Sequence, residues 1–425
     1  MRNLKRALSL VMAAAMLIGM MAVSASAADN YEDFTDKDEI KNTEAVATMV
    51  SLGVFNGKED GSYFDPTGIV TRAEMAKLIA VSLNGGKDPV LGSGASTTQF
   101  SDTSGHWAEA YIAYCANLGI INGKGDGTFG PNEPVTGTAA AKMFLTALGY
   151  RSDIEKLTGA GWDLNTDQLA NKVGLYDGLG HITPSNGLSR DDTAQLIYNG
   201  VQAQEVEYRN NYGEYSGVIY AQDKGTMLEN RFGVVKVTGV VVANDVMSID
   251  ADDNDNAVGT AKEGWTRLDI NAVSGYSYSN YTSLYGKQQY KVVTSNDMVG
   301  QEVVIYVKYN NTLSPNASAS TVLGQAIATD KNTVVETCKK LANASKVKDA
   351  LKGSGLSIGG VSILFDETGR TDTATATGIA STAGLKQRFI DNDNDGVVNY
   401  VIQEAPALTK VKNVNNNAET ITLEG

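Results

Sequence analysis

The chain has 425 residues, and at roughly 100–200 residues per domain this length predicts two to four domains. Its hydrophobic content of 42% is enough for packed cores, which argues against wholesale disorder. The net charge of −14 argues against a protein that binds nucleic acid or adsorbs to an anionic membrane surface. Two histidines and two cysteines leave little material for a zinc cluster or a Cys/His catalytic centre.

The first 27 residues have the form of a secretory signal peptide. Basic residues at positions 2, 5 and 6 precede an apolar run from 7 to 23 and a small-residue cleavage site, Ala25-Ser26-Ala27. A membrane anchor is the alternative, but the cleavage site and the polar residues after it favour removal. No other apolar run approaches the ~20 residues that span a bilayer. The mature chain is therefore expected to begin at Ala28, to be exported and to have no membrane span.

Three copies of one unit follow, at residues 28–95, 96–150 and 151–204. Each has an apolar pattern that ends at Gly, a Gly-containing loop with Pro, and a Thr or Ser before a second apolar pattern. The spacing from the Pro to the residue after that Thr or Ser is six in every copy: Pro66 to Arg72, Pro131 to Gly137 and Pro184 to Arg190. The repeats therefore predict helix, loop and helix, stacked as a pseudo-threefold module.

Several motifs of this region resemble S-layer homology (SLH) domains over about residues 29–204. They are Phe100-Ser101-Asp102, His106-Trp107-Ala108, Gly119-Ile120-Ile121-Asn122-Gly123, the loop 126–131, and Thr71-Arg72-Ala73-Glu74. The resemblance implies a helical module that holds an exported protein non-covalently on the cell wall. The implied partner is a secondary cell-wall polysaccharide, often with pyruvylated sugars, which the Arg of the Thr-Arg-Ala-Glu motif binds in grooves between repeats.

The chemistry of a pyruvyl ketal indicates which residues would bind it. The ketal carries a carboxylate, and the planar guanidinium of Arg matches a carboxylate. Arg72 and Arg190 each begin the second helix of a repeat, after the predicted N-caps Thr71 and Ser189, and the first N–H groups of a helix favour anions. The hydroxyls of Thr71 and Ser189 are predicted, with the two arginines, to contact the polysaccharide. The alternative is that both arginines only pair with acidic neighbours inside the module.

The aromatic and histidine residues of the repeats are assigned less directly. Trp107 and Trp162 are predicted to pack in the repeat interfaces and, as a smaller share, to stack on sugars. His106 and His181 are expected at a helix start and beside a turn. Gly137 stands where the other repeats have Arg, so at most two of the three grooves are expected to bind polymer.

The charge of the module constrains how it can recognise an anion. Residues 28–204 hold 12 basic and 23 acidic side chains, a net charge of −11. A field of this sign repels a polyanion, so recognition must be local and short-range. Ca²⁺ bridging acidic groups and polymer is a second route.

From about residue 205 the sequence favours β-structure. Three segments are dense in β-branched or apolar residues and predict strands: 233–242, 301–308 and 361–365. A helical stripe predicts one helix over 333–352, although Asn343-Ala344-Ser345 could break it. The prediction is a multidomain chain, α then β, with β-rich domains at 205–325 and 326–425, the second containing the candidate helix and ending within a strand pair.

An acidic segment near the C-terminus matches the front of a calcium loop. Asp391, Asp393 and Asp395 occupy positions 1, 3 and 5, with Gly396 at position 6, but position 12 is Ile402 and not Glu. The alternative is a polar hairpin turn between two strands. A second acidic run, Asp250 to Asp255, is predicted to be a solvated loop.

These observations favour a non-enzymatic protein of the cell surface, anchored to the wall by SLH repeats, with a β-rich half for assembly into a surface layer or for display. The alternatives are an anchored carbohydrate-active enzyme and an adhesin, with the activity in 205–425. A glycosidase would need a carboxylate pair in a cleft. The sequence has no nucleophile elbow, zinc motif or phosphate loop.

Overall fold

The structure is a computed structural model. It describes residues 33–58, 61–90, 100–210, 219–252, 256–274, 281–310, 314–359, 362–366, 369–381, 385–404, 411–415 and 420–423. The predicted signal peptide, the cleavage before Ala28, and Asp253 and Asp255 of the second acidic run lie outside these residues. Within them, no helix has both the length and the apolar character needed to cross a bilayer.

Each of the three repeats contains two helices, as the spacing predicted. They are α1 (Thr43–Ser51), α2 (Arg72–Leu83), α3 (Glu109–Asn117), α4 (Gly137–Ala147), α5 (Trp162–Val173) and α6 (Arg190–Gln202). The second helix of each repeat begins at a hydroxyl cap, because Thr71, Thr136 and Ser189 accept the backbone N–H three residues further on. The caps predicted at Thr71 and Ser189 are confirmed.

A closed ring of backbone hydrogen bonds joins the three repeats. The N–H of Val70 donates to the carbonyl of Leu188 at 3.0 Å, Leu188 N–H donates to Val135 at 3.0 Å, and Val135 N–H donates to Val70 at 2.9 Å. One residue of each repeat therefore serves once as donor and once as acceptor. This ring is the backbone basis of the pseudo-threefold arrangement.

The helices pack from one repeat onto the next. Helix α2 packs on α3, α4 packs on α5, and α6 closes the circle on α1. Large buried side chains fill the centre of the module, among them Phe34, Phe55, Phe64, Phe129 and Phe144. Cys115 is also fully buried in this core, and its thiol lies 3.4 Å from the carbonyl of Ala76.

The second half of the chain is built from antiparallel hairpins and two five-stranded sheets. Its strands are β1 (Gln204–Asn210), β2 (Ile219–Thr226), β3 (Val235–Ala243), β4 (Thr266–Val273), β5 (Gly286–Tyr290), β6 (Glu302–Lys308), β7 (Thr321–Ala328), β8 (Thr333–Thr337), β9 (Ser362–Asp366), β10 (Gly369–Ala374), β11 (Lys386–Asp391), β12 (Tyr400–Glu404), β13 (Val411–Asn415) and β14 (Thr420–Leu423). The first sheet has the order β5-β4-β3-β6-β7 and the second β10-β9-β12-β11-β8. Strands β3, β6 and β9 confirm the three segments predicted from composition.

The helix predicted over 333–352 is wrong in its first half. Residues Thr333–Thr337 form strand β8, in which Val335 lies opposite Phe389 of β11. Only Ala344–Ala350 is helical (α7), and the side chain of Asn343 caps it by accepting the N–H of Lys346. The β-branched residues at 333–335 satisfy their backbone in the sheet, and Asn343 marks the true helix start.

The helical module and the first sheet share one hydrophobic core. Val304 and Tyr306 of β6 belong to the same buried cluster as the helices of the module. The hydroxyls of Tyr198 on α6 and Tyr306 lie 2.6 Å apart, and both lie within hydrogen-bond distance of Glu44 on α1. The buried contact and the polar network together fix the first sheet against the helices.

A buried arginine joins the two sheets. Arg388 on β11 is 1% exposed and donates to the carbonyl of Asp297 at 2.7 Å and to the carboxylate of Glu404 at 3.0 Å.

The predicted domain boundary at residue 325 lies inside β7, whereas the chain passes from one sheet to the other between Ala328 and Thr333. The division into domains stays a prediction.

The solvated loop predicted for the second acidic run is wrong at Asp250. This residue is 3% exposed, and its carboxylate pairs with Arg267 at 2.9 Å and Lys287 at 2.7 Å. A buried carboxylate needs such partners, and both come from neighbouring strands that the local sequence does not reveal.

Candidate functional site

The predicted site residues Arg72 and Arg190 lie where the second helix of one repeat begins against the loop of another. At α2, the N–H groups of Arg72 and Ala73 donate to the carbonyls of Glu133 and Pro131 in the next repeat. At α6, the N–H groups of Arg190 and Asp191 donate in the same way to carbonyls in the loop of the first repeat. The prediction that these N–H groups serve as donors to a bound carboxylate is therefore wrong, because backbone carbonyls already occupy them.

The side chain of Arg72 crosses from the first repeat to the loop of the second. Its Nε donates to the carbonyl of Phe129 at 2.9 Å, and Nη2 lies 3.5 Å from the carbonyl of Asn122. The guanidinium lies over the Phe129 ring, 4.5 Å from its centroid. Burial lowers the pKa of Arg72, and the nearby carboxylates of Glu133 and Asp102 oppose this shift, so the group stays cationic at neutral pH.

Arg190 has the same arrangement between the third repeat and the first, and its side chain is more deeply buried than that of Arg72. Its Nη2 donates to the carbonyl of Asn56 at 2.6 Å, and its guanidinium lies over the rings of Phe55 and Phe64 at 5.0 and 4.9 Å. The residue is 9% exposed, and its Nε is buried without a hydrogen-bond partner. Burial lowers the pKa of Arg190 against the opposing fields of Glu74, Asp65 and Asp36.

Neither guanidinium forms an ion pair within 4.0 Å with any part of the chain that the structure describes. Carbonyl oxygens and aromatic faces stabilise both groups without cancelling their charge. The alternative that the arginines only bridge acidic neighbours is therefore not what the geometry shows. Within the described residues, nearby carboxylates therefore act on the two cations through space and not by direct contact.

The predicted hydroxyl ligands are already engaged. The side chain of Thr71 accepts the N–H of Glu74 and donates to its carboxylate at 3.0 Å. Ser189 makes the same pair of bonds to Asp192, with its hydroxyl 2.7 Å from the carboxylate. Their position beside the arginines is as predicted, and their visible role is to start the helices.

The two tryptophans differ in exposure. Trp107 is 57% exposed, with ring contacts to His106 and Tyr111, so the expectation that it mainly packs is wrong. Trp162 is half-buried, with the ammonium of Lys142 over its ring at 5.0 Å. An exposed indole beside a cationic interface is suited to stacking on a sugar.

At the interface of the second repeat with the third, Gly137 occupies the position of the arginine. A Cβ on Gly137 would lie 3.1 Å from both the Cα and the carbonyl oxygen of Pro184, in the short third loop, so a side chain here requires the loop to shift by a few tenths of an ångström. This agrees with the prediction that at most two interfaces carry the cation.

Two lysines that the sequence reasoning missed also lie at the interfaces. Lys77 of α2 lies over the Tyr111 ring at 5.7 Å, and Lys142 occupies the same place on α4 over Trp162. Both stand six residues after the capping Thr, a spacing that could have revealed them. Burial and, to a smaller extent, the positive charge of Arg72 lower the pKa of Lys142.

The histidines lie where the sequence placed them. His106 accepts the N–H of Ala108 through Nδ1 at 3.2 Å, just before α3, and its Nε2 contacts Asn132 at 3.1 Å. His181 pairs with Asp192 at 2.9 Å beside the third loop. Because Asn132 adjoins the loop that accepts the start of α2, His106 and Trp107 border the Arg72 interface.

The acidic segment forms a turn between β11 and β12, consistent with the hairpin alternative. Oxygens of Asp391, Asp393 and Asp395 lie within 4.8 Å of one another. Both oxygens of Asp391 accept backbone N–H groups, those of Asn394 and Gly396 at 2.9 Å. Despite burial, these bonds lower the pKa of Asp391, whereas burial and Asp391 raise the pKa of Asp393. Calcium binding here stays a prediction.

The geometry of the repeats agrees with a comparison to known families. The sequence model of the S-layer homology domain matches residues 33–76 and 99–141. The chain carries S-layer homology domains. The matched segments cover the first helix and loop of repeats 1 and 2 and the start of each second helix. The third SLH repeat was predicted from spacing, and α5 and α6 give it the same pair of helices.

Named relatives agree with this family. The chain is 26% identical over 316 residues to a cell surface protein of Thermoanaerobacter kivui, covering 73% of this chain and 39% of the relative. It is 26% identical to an uncharacterized cell wall amidase of Bacillus anthracis, covering 46% and 37%, and 25% identical to the S-layer protein EA1 of the same organism, covering 45% and 22%. The chain thus spans between 22% and 39% of these relatives. The SLH domains and relatives indicate a location at the cell-wall surface.

Proposed function

We propose that the SLH module anchors the protein by binding an anionic secondary cell-wall polysaccharide at its repeat interfaces. The observation that carries this proposal is the pair of guanidiniums, Arg72 and Arg190, held against carbonyls and phenylalanine rings without a carboxylate partner in the described residues. A cation placed in this way gains most from an incoming anion. Pyruvylated sugars supply the required carboxylate.

The Arg72 interface is the more accessible of the two. Arg72 is half-buried, whereas Arg190 is 9% exposed. Lys77 adds a second cation, and the exposed Trp107 offers an aromatic face at the border of the same interface. We assign sugar stacking to Trp107, and to Trp162 at the interface where Lys142 is the cation.

Recognition by placed cations explains how an acidic module can bind a polyanion. The field of the module, with its net charge of −11 over residues 28–204, opposes approach, but salt screens it beyond about 8 Å, whereas partly buried contacts at hydrogen-bond distance are screened much less. Binding should therefore be specific for the carboxylate geometry and less sensitive to polymer charge as a whole.

The β-rich half presents or assembles the surface layer in this proposal, without enzymatic activity. The shared core at Val304 and Tyr306 holds the first sheet in a fixed orientation to the anchor, which suits a regular surface array. One relative is named an amidase, so catalysis is tested directly: release of reducing ends or amino groups from purified walls by the full chain would overturn the non-enzymatic assignment.

The ligand class is tested by competition. Purified wall polysaccharide, added in solution, should release the protein from protein-free walls. The same polysaccharide after conversion of its carboxylates to neutral amides should not. Equal release by both preparations would show that the carboxylate is not recognised.

A further inference from the structure

A cleft with a volume of about 530 Å³ lies in the second repeat, between the end of α3 and the chain that follows α4. One wall is the end of α3 and the following loop, with Leu118 and Asn122. The other is the chain after α4, with Tyr150, Arg151 and Ser152, and Thr158 closes one side.

The glycine that lines the cleft, Gly119, lies open, whereas other parts of the chain cover the matching positions of the first and third repeats. A Cβ on Gly119, which follows α3, would meet no atom within 4 Å. On the equivalent Gly53, a Cβ would lie 2.6 Å from the carbonyl oxygen of Gly86, because the chain after α2 folds onto it. In the third repeat, Asn199 covers the matching loop by donating to the carbonyls of Leu175 and Asp177.

The chemistry of the lining indicates an uncharged sugar. Leu118 is 55% exposed, and with the ring of Tyr150 it offers an apolar surface for the C–H face of a pyranose. Asn122, Ser152 and Thr158 offer amide and hydroxyl groups to sugar hydroxyls. Arg151 and Asp153 pair at 2.6 Å, so the cleft presents no uncompensated charge to an anion.

Asn122 links the cleft to the assigned site. Its carbonyl lies 3.5 Å from Nη2 of Arg72, and the same residue lines the cleft. We propose that the cleft is a second subsite that binds a neutral sugar unit of the wall polysaccharide, near the charged unit held by Arg72. This inference rests on the proposed function, because it assumes that the polysaccharide binds at Arg72.

The test compares a variant that fills the cleft with a matched control. Ser152→Trp places an indole in the cleft, and Thr158→Trp does so from another side. Ser185→Trp makes the same change on an exposed part of the third loop that does not line the cleft. The full chain is titrated calorimetrically with wall polysaccharide cut by partial hydrolysis and separated into single charged units and fragments of several units.

We expect both cleft variants to bind the longer fragments about tenfold more weakly than the wild type, with single charged units bound equally well. Ser185→Trp should match the wild type throughout, and Arg72→Ala should weaken binding of both probes. Wild-type affinity for longer fragments in both folded cleft variants would overturn the second subsite alone. Failure of the wild type to bind either probe would overturn the proposed function and the subsite with it.

Discussion

The guanidinium of Arg190 donates 2.6 Å to the backbone carbonyl of Asn56, 134 residues earlier in the chain. Arg72 makes the equivalent approach to Asn122, in the next repeat. Each arginine therefore holds together two repeats without a direct ion pair to a carboxylate of the described residues. Because the proposed binding group also stabilises the module, its effects on stability and on binding must be measured separately.

Arg190→Ala should destabilise the protein more than Arg72→Ala. The change removes the donor to the carbonyl of Asn56 and the guanidinium that packs on the buried Phe55 and Phe64 rings, so we expect a loss of about 2–4 kcal/mol in the free energy of unfolding. The half-exposed Arg72 should lose less. Urea denaturation measures both, and Lys346→Ala, at an exposed ion pair with Asp349, is the control. Equal losses for Arg190 and Lys346 would contradict the assigned contacts.

Gly137→Arg should not restore the missing cation of the second repeat. Since a Cβ here already lies 3.1 Å from the backbone of Pro184, we expect a loss of about 1–3 kcal/mol in stability and no gain in wall binding. Gly180→Arg is the control, because a Cβ there meets nothing within 4 Å. A Gly137→Arg chain that is as stable as the wild type and binds walls more tightly would show that the third loop leaves room for the side chain.

Trp107→Ala should lower wall binding with little effect on folding. The indole is 57% exposed, so its removal should cost no more than about 1 kcal/mol of stability, while retention on walls falls several-fold. Trp162→Ala, which removes the ring under Lys142, should cost more in thermal stability. If Trp107→Ala destabilises the protein more than Trp162→Ala and leaves retention on walls unchanged, Trp107 has a packing role and does not bind the polymer.

Alkaline pH should destabilise the β-rich half through its buried tyrosines. Burial raises the pKa of Tyr290 to about 12 from an ordinary value of 10.0, and its hydroxyl lies 2.8 Å from that of Tyr309. A raised folded-state pKa gives stability that is complete below pH 10 and is lost as pH rises towards 12. The free energy of unfolding should fall through this window, and less steeply in Tyr290→Phe. A flat profile in the wild type would refute the burial of these phenols.

The sequence predicted the local features of the module and missed the long-range ones. Spacing and caps gave the six helices, because these depend on residues three to six positions apart. The direction of the Arg190 side chain depends on a loop more than a hundred residues away, and the exposure of Trp107 depends on how two repeats meet. Neither the direction of Arg190 nor the exposure of Trp107 can be predicted from the residues next to it in the sequence.

The same limit explains the error in the β-rich half. The stripe at Val335, Cys338 and Leu341 is compatible with a helix, but Val335 pairs with Phe389 in β11, a partner 54 residues later. Strands depend on such distant partners, so periodicity over one short segment cannot decide between the two structures. The buried pairing of Asp250 with Arg267 was missed for the same reason.

The central claim is tested most directly by sedimentation of the purified full chain with protein-free cell walls. The account predicts that the Arg72→Ala/Arg190→Ala double variant, confirmed as folded by circular dichroism at the assay temperature, loses at least about tenfold in affinity, some 1.4 kcal/mol or more. The Lys346→Ala control, at an exposed ion pair in the β-rich half, should bind as the wild type does. A folded double variant that sediments with the walls as fully as the wild type would contradict the account.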